Sequence, residues 1–293
     1  MLKIFSKINT QKIEKNYKFL LIIPILFFLA SSLILVNQYL QTGEFFKRSI
    51  EMKGGTTITI NLNEKIDTHY LEKKLSEKIK PISIREITNF KGYGIVIETS
   101  SENDPEKLLN EVSSLGINTQ DFNIESIGPS LGESFWVQTQ IAMVVAFIFM
   151  SIVVFVIFRT FVPSMAVIIS AFADIFMTIA FMQVFNIQMS LAALAGILML
   201  IGYSVDTDIL LTSRLLKETE EKNIFNKVKN AMKTGLTMTL TTIGAVTTVL
   251  VLNISPVITQ IANVILIGLC FDILNTWTTN VIILKWYAEK RMK

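Results

Sequence analysis

Six long apolar stretches alternate with polar segments along the chain. Each contains about 20 mostly hydrophobic residues, the length that an α-helix needs to cross the hydrocarbon core of a bilayer. A weak small-residue cluster in the first stretch is not an obvious cleavage site, so we interpret that stretch as a retained helix rather than a signal peptide. The pattern predicts six transmembrane helices, at about residues 18–40, 136–158, 162–185, 188–213, 233–254 and 257–284.

Residues 41–135 are polar and lie between the first two apolar stretches. Alternating hydrophobic positions predict strands, and positions repeating every three or four residues predict helices. The resulting order is β-α-β-β-α-β, typical of a ferredoxin-like domain, which hosts many unrelated functions. We therefore predict a polytopic α-helical membrane protein with an α+β ferredoxin-like domain between helices 1 and 2. Its predicted elements are a strand at 56–62, a helix after Asp67, a hairpin over 82–99, a helix after Asp104-Pro105 and a strand within 118–128.

Composition favours a membrane protein over a soluble enzyme, since 51% of the 293 residues are hydrophobic and 17% are charged. The single cysteine, Cys270, excludes a disulfide within the chain, and the lone histidine, His69, makes a zinc site improbable. The glycine pair in Lys53–Thr56 lacks the spacing of a phosphate-binding loop and favours a tight turn. We expect no enzymatic activity, cofactor, metal site or nucleic-acid partner.

Lysine and arginine in short flanking segments predict the orientation. They concentrate in residues 1–17, in the loop at about 214–232, in the C-terminal tail and at Arg159. These places fall on one side of the membrane if six helices alternate. We therefore expect helix 1 and the five-helix domain (136–293) to lie in the cell membrane, with the N-terminus and the C-terminus of the chain both cytoplasmic. Residues 41–135 are then extracytoplasmic.

Acidic residues interrupt the apolar stretches. Asp206 and Asp208 lie in the fourth, Asp174 in the third and Asp272 in the sixth. A carboxylate at the centre of a membrane helix costs about 2.5–3.5 kcal/mol on insertion scales, so each must face protein or water. These residues are candidates for ion coupling. A static ion pair that only fixes the helix register is the alternative.

Three segments together resemble the SecF family of protein-export membrane proteins. They are IEMKGGTTI (Ile50–Ile58), ESIGPSLGES (Glu125–Ser134) and GYSVDTDILLTSR (Gly202–Arg214). The resemblance implies the architecture of the RND superfamily, a SecD partner beside the SecYE channel, and a proton-driven role in moving unfolded polypeptide. In this family, cation coupling is attributed to an acidic residue in span four and a basic residue in span five.

The acid of the bacterial motif falls at Thr207, with Asp206 and Asp208 on either side, and the basic residue falls opposite Lys233. Asp174 matches an acid of the family's third span. Successive helical residues turn by about 100°, so Asp206 and Asp208 cannot share one face. An ion pair between Lys233 and one of them is geometrically reasonable, and a lysine that extends to the membrane interface is the alternative.

Small residues in span four, including Gly196 and Gly202, predict close helix packing. The function favoured by the resemblance is that of a SecF-type export subunit, driven by the proton motive force or another ion gradient. The alternatives are an RND-type transporter subunit for small molecules or lipids, and a non-conducting scaffold.

Overall fold

The structure, a computed structural model, describes residues 20–62, 64–89, 92–216 and 224–291. Six of the described helices are long and apolar enough to cross a membrane, as predicted. The last span consists of a helix at Pro256–Asn275, a π-helical turn at Thr276–Asn280 and a second helix at Val281–Arg291. The helices are α1 (Ile22–Thr42), α2 (Ile50–Lys53), α3 (Thr68–Ser76), α4 (Pro105–Ser114), α5 (Pro129–Phe158), α6 (Phe161–Val184), α7 (Leu191–Leu216), α8 (Ile224–Leu252), α9 (Pro256–Asn275) and α10 (Val281–Arg291).

Two spanning helices begin well before the apolar stretch that predicted them. Helix α5 starts at Pro129 rather than near residue 136, and α8 starts at Ile224 rather than near 233. In both cases polar turns precede the apolar part, and hydropathy detects only the apolar part. The predicted N-terminal segment 1–17 and most of the loop before Ile224 lie outside the described residues.

A four-stranded antiparallel sheet forms between α1 and α5. Its strand order is β2-β3-β1-β4, and α3 and α4 follow β1 and β3 in the chain, which is the predicted β-α-β-β-α-β order. Asp67 and Asp104 cap α3 and α4 by accepting hydrogen bonds from backbone amides of the first turn. The strands are β1 (Gly55–Leu62), β2 (Ile82–Asn89), β3 (Gly92–Thr99) and β4 (Phe122–Ile127).

One apolar layer holds this domain together. Alternate residues of β1, such as Ile58 and Ile60, point toward the two helices and are completely buried. Leu71 and Leu108 reach the same layer from α3 and α4. Burying a side chain of this size contributes about 1.5–3 kcal/mol, so the domain has a core of its own apart from the membrane helices.

Two glycines bring the domain and the membrane helices into backbone contact. A Cβ on Gly132 of α5 would lie 2.3 Å from the Gly54 nitrogen, and a Cβ on Gly54 would lie 2.5 Å from the Pro129 Cα. Gly54 also has a positive φ of 78°. The turn predicted at Lys53–Thr56 therefore serves as a contact surface as well, and α5 is held directly against the start of β1.

Polar contacts extend this junction to α7. The Leu191 amide at the start of α7 donates to the Glu51 carboxylate at 2.9 Å, and the backbones of Ser49 and Met189 are hydrogen-bonded. The buried side chain of Met52 packs among membrane-helix residues, including Met182. The domain is thus attached to the first turn of α7 by both backbone and side-chain contacts.

An ion cluster reinforces the same region. Arg48 contacts Glu44 at 2.6 Å and lies over the ring of Trp136 on α5, and Lys53 contacts Glu44 at 3.1 Å. Partial burial raises the pKa of Glu44, but the hydrogen bonds and charges of Arg48 and Lys53 outweigh it and lower that pKa below its ordinary value of 4.5. Glu44 is therefore a stable anion at neutral pH.

Helices α6, α7 and α9 form the buried centre of the membrane bundle. Gly196 of α7 and Gly268 of α9 allow the two helices to approach closely: a Cβ on Gly196 would lie 2.9 Å from the Val264 Cβ, and one on Gly268 would meet the Leu200 side chain. Close approach through small residues is the usual basis of helix association in lipid. This pairing positions the carboxyl groups described below.

Replacing Gly132 by alanine is expected to destabilise the junction. The added methyl group meets backbone atoms of Lys53 and Gly54, which cannot rotate away, and such overpacking costs about 1–3 kcal/mol. Gly132→Ala should lower the midpoint of thermal unfolding of the detergent-solubilised protein. The matched control is Gly128→Ala, since a Cβ there meets nothing within 4 Å. Equal midpoints for the two variants would contradict the proposed contact.

Candidate functional site

Three aspartates from three helices lie in the centre of the membrane bundle. Asp174 of α6, Asp208 of α7 and Asp272 of α9 are each 0% exposed. Asp208 lies about 12 Å along α7 from its end at Leu216, at 1.5 Å per residue. We call Asp174, Asp208 and Asp272 the carboxyl cluster.

Asp174 is held by hydrogen bonds to both of its oxygens. The Ser204 hydroxyl on α7 donates to Oδ2 and the Asn275 amide at the end of α9 donates to Oδ1, each at 2.6 Å. The carboxyl group therefore ties α6 to both of its neighbours. Removing one of these donors would leave a buried acceptor unsatisfied, which costs about 1–3 kcal/mol.

Asp208 and Asp272 meet at the π-helical turn. The Thr276 hydroxyl lies 2.8 Å from Asp208 Oδ1 and 3.1 Å from Asp272 Oδ1, and the Asn280 amide donates to Asp208 Oδ1 at 2.6 Å. A π-helical turn interrupts the regular i→i−4 ladder and is frequent at functional sites. Here the turn brings Thr276 and Asn280, which lie at its two ends, to the same carboxyl group.

Several buried acceptor oxygens in the carboxyl cluster or beside it have no hydrogen-bond partner. These are Asp208 Oδ2, Asp272 Oδ2 and the Asn280 Oδ1 atom. Among residues 20–62, 64–89, 92–216 and 224–291, no ion pair reaches Asp174, Asp208 or Asp272. A buried polar group without a partner is costly, so this site is suited to receiving a proton or another cation.

Asp208 and Asp272 both lie within hydrogen-bond distance of the Thr276 hydroxyl, so their carboxyl groups are close enough to repel each other when ionised. Coulomb interactions are much stronger in a protein interior than in water, since the effective dielectric constant is lower. The described residues contain no group of three or more His, Cys, Asp or Glu side chains arranged to hold a metal ion. The arrangement favours partial neutralisation of the carboxyl cluster over a divalent metal centre.

Asp206 is not part of the carboxyl cluster. Asp206 is exposed, whereas Asp208 is buried. Residues two positions apart on a helix point in nearly opposite directions, because each residue turns by about 100°. Lys233 is exposed as well, and no ion pair joins it to either aspartate within the described part of the chain. The predicted pairing of Lys233 is thus not found, because Lys233 points away from the buried centre.

Gly202 likewise differs from the expectation of internal helix packing. A Cβ at this position would meet nothing within 4 Å, in contrast to Gly196. Met199, Tyr203 and Asp206 are exposed on the same side of α7. We call Met199, Gly202, Tyr203 and Asp206 the outer face of α7.

Sequence reasoning missed the four side chains that bind the carboxyl cluster. Ser204 lies between singled-out residues of the fourth span, and the other three occur in the sixth span just after Asp272. A signal was present, since Asn275, Thr276 and Asn280 are polar residues in an apolar helix and two of them are four positions apart. That spacing marks one helical face, but it does not show which carboxyl group the face meets.

Comparison with known proteins identifies the family. The model of the family "Protein export membrane protein SecD/SecF, C-terminal" matches residues 107–290, which include the whole carboxyl cluster. The chain belongs to the SecD/SecF family of protein-export membrane proteins. Its SecF relatives include the protein-export membrane protein SecF of Pyrococcus furiosus, 36% identical over 280 residues, covering 95% of this chain and 94% of that protein. The SecF of Methanocaldococcus jannaschii is 37% identical over 289 residues, covering 95% and 99%.

Solved structures with the same fold include those of SecDF. The crystal structure of SecDF, a translocon-associated membrane protein from Thermus thermophilus, matches with a TM-score of 0.74 and 18% identity over 92% of this chain. A SecDF structure in the super-membrane-facing form matches with a TM-score of 0.54. The SecF-family chain spans 38% of the length of each SecDF chain.

The three family-like motifs occupy two places in the fold. Ile50–Ile58 and Glu125–Ser134 contain Gly54 and Gly132 and form the junction between the sheet domain and α5. Gly202–Arg214 contains Ser204 and Asp208 and forms the α7 side of the carboxyl cluster. The motifs therefore mark a mechanical contact and a candidate ion site.

Replacing Asp208 by asparagine is expected to leave the stability of the isolated chain unchanged or to raise it. Both hydrogen bonds to Asp208 go to Oδ1, which asparagine retains, and a buried negative charge is removed. The thermal midpoint in detergent should stay within about 4 °C of the original or increase, where 1 kcal/mol corresponds to about 2–4 °C. Asp206→Asn is the matched exposed control. A fall of about 8 °C or more for Asp208→Asn alone would show that the ionised form stabilises the bundle.

Proposed function

We propose that this SecF-family chain is an accessory subunit of the Sec protein-export machinery and that it pairs with a SecD-type subunit. In this proposal, ion binding at the carboxyl cluster drives movement of the sheet domain, which handles unfolded polypeptide beside a SecYE-type channel. The observation that supports it most strongly is a buried carboxyl cluster, without a counterion in the described chain, in a member of this family.

The proposed ion coupling follows from the energetics of the carboxyl cluster. Burial disfavours three negative charges at close range, whereas the hydrogen bonds from Ser204, Asn275 and Thr276 stabilise charge on individual carboxyl groups. Small helix movements would alter this balance. Transfer of one elementary charge through 100 mV supplies about 2.3 kcal/mol, which is sufficient to shift a two-state equilibrium considerably.

Helix α7 is the element that would transmit movement to the sheet domain. Asp208 lies about 26 Å along the helix from Leu191, whose amide is bound by Glu51. A helix is stiff over this distance, and the junction at Gly54 and Gly132 leaves no gap between the domain and α5. A tilt or shift of α7 at Asp208 would therefore act on the domain through Glu51.

The orientation follows from the basic residues at the helix ends away from the sheet domain. Arg159, Arg214 and Lys290 lie at the ends of α5, α7 and α10 that are opposite to the junction. The positive-inside rule assigns this side to the cytoplasm. In the proposed topology, the C-terminus is cytoplasmic and the sheet domain is extracytoplasmic, where exported polypeptide emerges.

A SecD-type partner is proposed to cover the outer face of α7. An exposed carboxyl group such as Asp206 is unfavourable against acyl chains, and the exposed Lys233 adds a second charge. Helices α8 and α5 bury an equally small share of their residues within this chain, but the apolar part of α8 is far less hydrophobic than that of α5. Helix α5 thus suits lipid, whereas α7 and α8 suit a protein partner.

The alternatives make different predictions about the same residues. A scaffold would use the carboxyl cluster only to brace the bundle, and the double hydrogen bond at Asp174 favours some bracing role. A transporter of small molecules or lipids would require a substrate route through the assembly. Measurements of export and of partner binding separate the three functions.

Asp208→Asn is expected to lower gradient-dependent export of a reporter protein by at least about tenfold, a change that corresponds to about 1.4 kcal/mol. The reason is loss of an ionisable group while both hydrogen bonds to Oδ1 are retained. Export would be measured in vesicles that contain this chain, its SecD-type partner and the channel. Asp121→Asn, an equivalent change at an exposed position of the sheet domain, is the control. Normal export with normal subunit levels would refute ion coupling at Asp208.

Gly202→Leu is expected to reduce co-purification of the SecD-type partner severalfold without lowering the thermal midpoint of the isolated chain. The added side chain projects from the outer face of α7 into the space assigned to the partner. Val145→Leu on the exposed face of α5 is the control, since that face is assigned to lipid. Retention of the partner by Gly202→Leu would place the interface on another face.

A further inference from the structure

The Thr276 hydroxyl occupies an unusual position in the carboxyl cluster. It is completely buried and lies within hydrogen-bond distance of two carboxyl oxygens, Asp208 Oδ1 and Asp272 Oδ1. A threonine hydroxyl carries one hydrogen and can donate to one acceptor at a time. If both carboxyl groups were ionised, one of them would face a lone pair of the hydroxyl oxygen.

One additional proton resolves this conflict. When Asp272 carries a proton on Oδ1, it can donate to Thr276 Oγ1, and the hydroxyl can donate its own hydrogen to Asp208 Oδ1. The Asn280 amide, which also donates to Asp208 Oδ1, favours the negative charge on Asp208 in this arrangement. Every hydrogen between the three oxygens then has one donor and one acceptor.

We infer that the Thr276 hydroxyl is a proton bridge between Asp272 and Asp208, an inference that rests on the proposed ion coupling and identifies its ion as a proton. In the transfer, the Asp272 proton passes to Thr276 Oγ1 while the Thr276 proton passes to Asp208 Oδ1. Asp272 becomes ionised, Asp208 becomes neutral, and the threonine is unchanged. The net charge of the pair stays the same throughout.

Within the described residues, no ion pair joins another charged side chain to Asp208 or Asp272. Helix α6 contributes only Asp174, which already accepts two hydrogen bonds. On α8, Lys233 is exposed, and on α10, Lys285 and Glu289 lie 3.8 Å from each other. Helix α1 carries no Asp, Glu, Lys, Arg or His, and Glu133 of α5 contacts Arg48 at the domain end.

The π-helical turn carries both side chains that contact Asp208. Asp272 and Thr276 are four positions apart, so they lie on the same face of the last span. Asn280, at the other end of the turn, also contacts Asp208. The Asp208 side chain comes from a different helix, α7. A relative shift of α7 against this turn would separate Asp208 from Thr276 and break the bridge, so proton transfer and helix movement would be linked.

Infrared spectroscopy tests the bridge directly on the chain with its SecD-type partner in lipid nanodiscs. We expect a carboxylic acid C=O band that Asp272→Asn removes and that Thr276→Val shifts, because valine has the shape of threonine without the hydroxyl. Thr276→Ser should restore the band. Absence of a band that depends on Asp272, or a band unchanged in Thr276→Val, would overturn the inference.

Proton flux into vesicles containing the same complex, driven by an imposed pH gradient, provides the functional readout. Thr276→Val should reduce flux by at least about tenfold, within the range expected for loss of a positioned proton-transfer group, and Thr276→Ser should keep it. Thr278→Val is the control, since that hydroxyl donates to a carbonyl of its own helix. If Thr276→Val retains normal flux while Asp208→Asn abolishes it, the bridge is refuted and ion coupling stands. Flux that neither variant affects, or that requires Na⁺ in place of protons, would refute the bridge, and insensitivity to Asp208→Asn would refute the coupling as well.

Discussion

Carboxyl groups cannot face the hydrocarbon of a bilayer without a large cost, and this constraint organises the membrane part of the chain. Asp174, Asp208 and Asp272 are covered by three helices that approach one another closely through Gly196 and Gly268. Hydroxyl and amide groups of α7, α9 and the π-helical turn lie within hydrogen-bond distance of all three carboxyl groups. Small residues therefore allow the helices to pack closely, and this close packing places hydrogen-bond donors beside the buried carboxyl groups.

The second organising feature is that α7 takes part in both regions of interest. Its first residue, Leu191, is bound by Glu51, and Met189 just before it makes backbone hydrogen bonds to the segment that precedes the sheet. The second half of α7 carries Ser204 and Asp208. Residues at opposite ends of one helix can be coupled without a long chain of side-chain contacts. Because α7 reaches both regions, a change of protonation at Asp208 could act directly on the sheet domain.

Much of the architecture could be predicted because hydrophobic period and capping chemistry are local properties. The six spans, the order of strands and helices along the chain, and the helix starts after Asp67 and Asp104 all follow from nearby residues. Starts of α5 and α8 were placed too late because polar helical turns leave no trace in hydropathy. The burial of Asp208 and exposure of Asp206 agree with the angle between neighbouring helical positions, whereas the pairing of Lys233 depended on a helix orientation that sequence does not define.

The donors to the carboxyl cluster could not be predicted for a different reason. Thr276 and Asn280, which contact Asp208, lie at the two ends of a π-helical turn, and a single sequence gives no reliable signal for such a turn. Gly202 was expected to pack against another helix of the chain, but a Cβ at this position would meet nothing within 4 Å, so contacts within this chain do not explain its small size. Both cases involve relations between helices or between chains, which become visible only in three dimensions.

The central claim is that the carboxyl cluster lies inside the membrane layer and binds exchangeable protons. Labelling of the chain in nanodiscs with a membrane-soluble carbodiimide, which reacts with protonated carboxyl groups, tests it most directly when read by mass spectrometry. The account predicts modification of Asp208 or Asp272 that increases as the pH is lowered and is not produced by a water-soluble carbodiimide. Equal labelling of these residues by the water-soluble reagent, independent of pH, would contradict it.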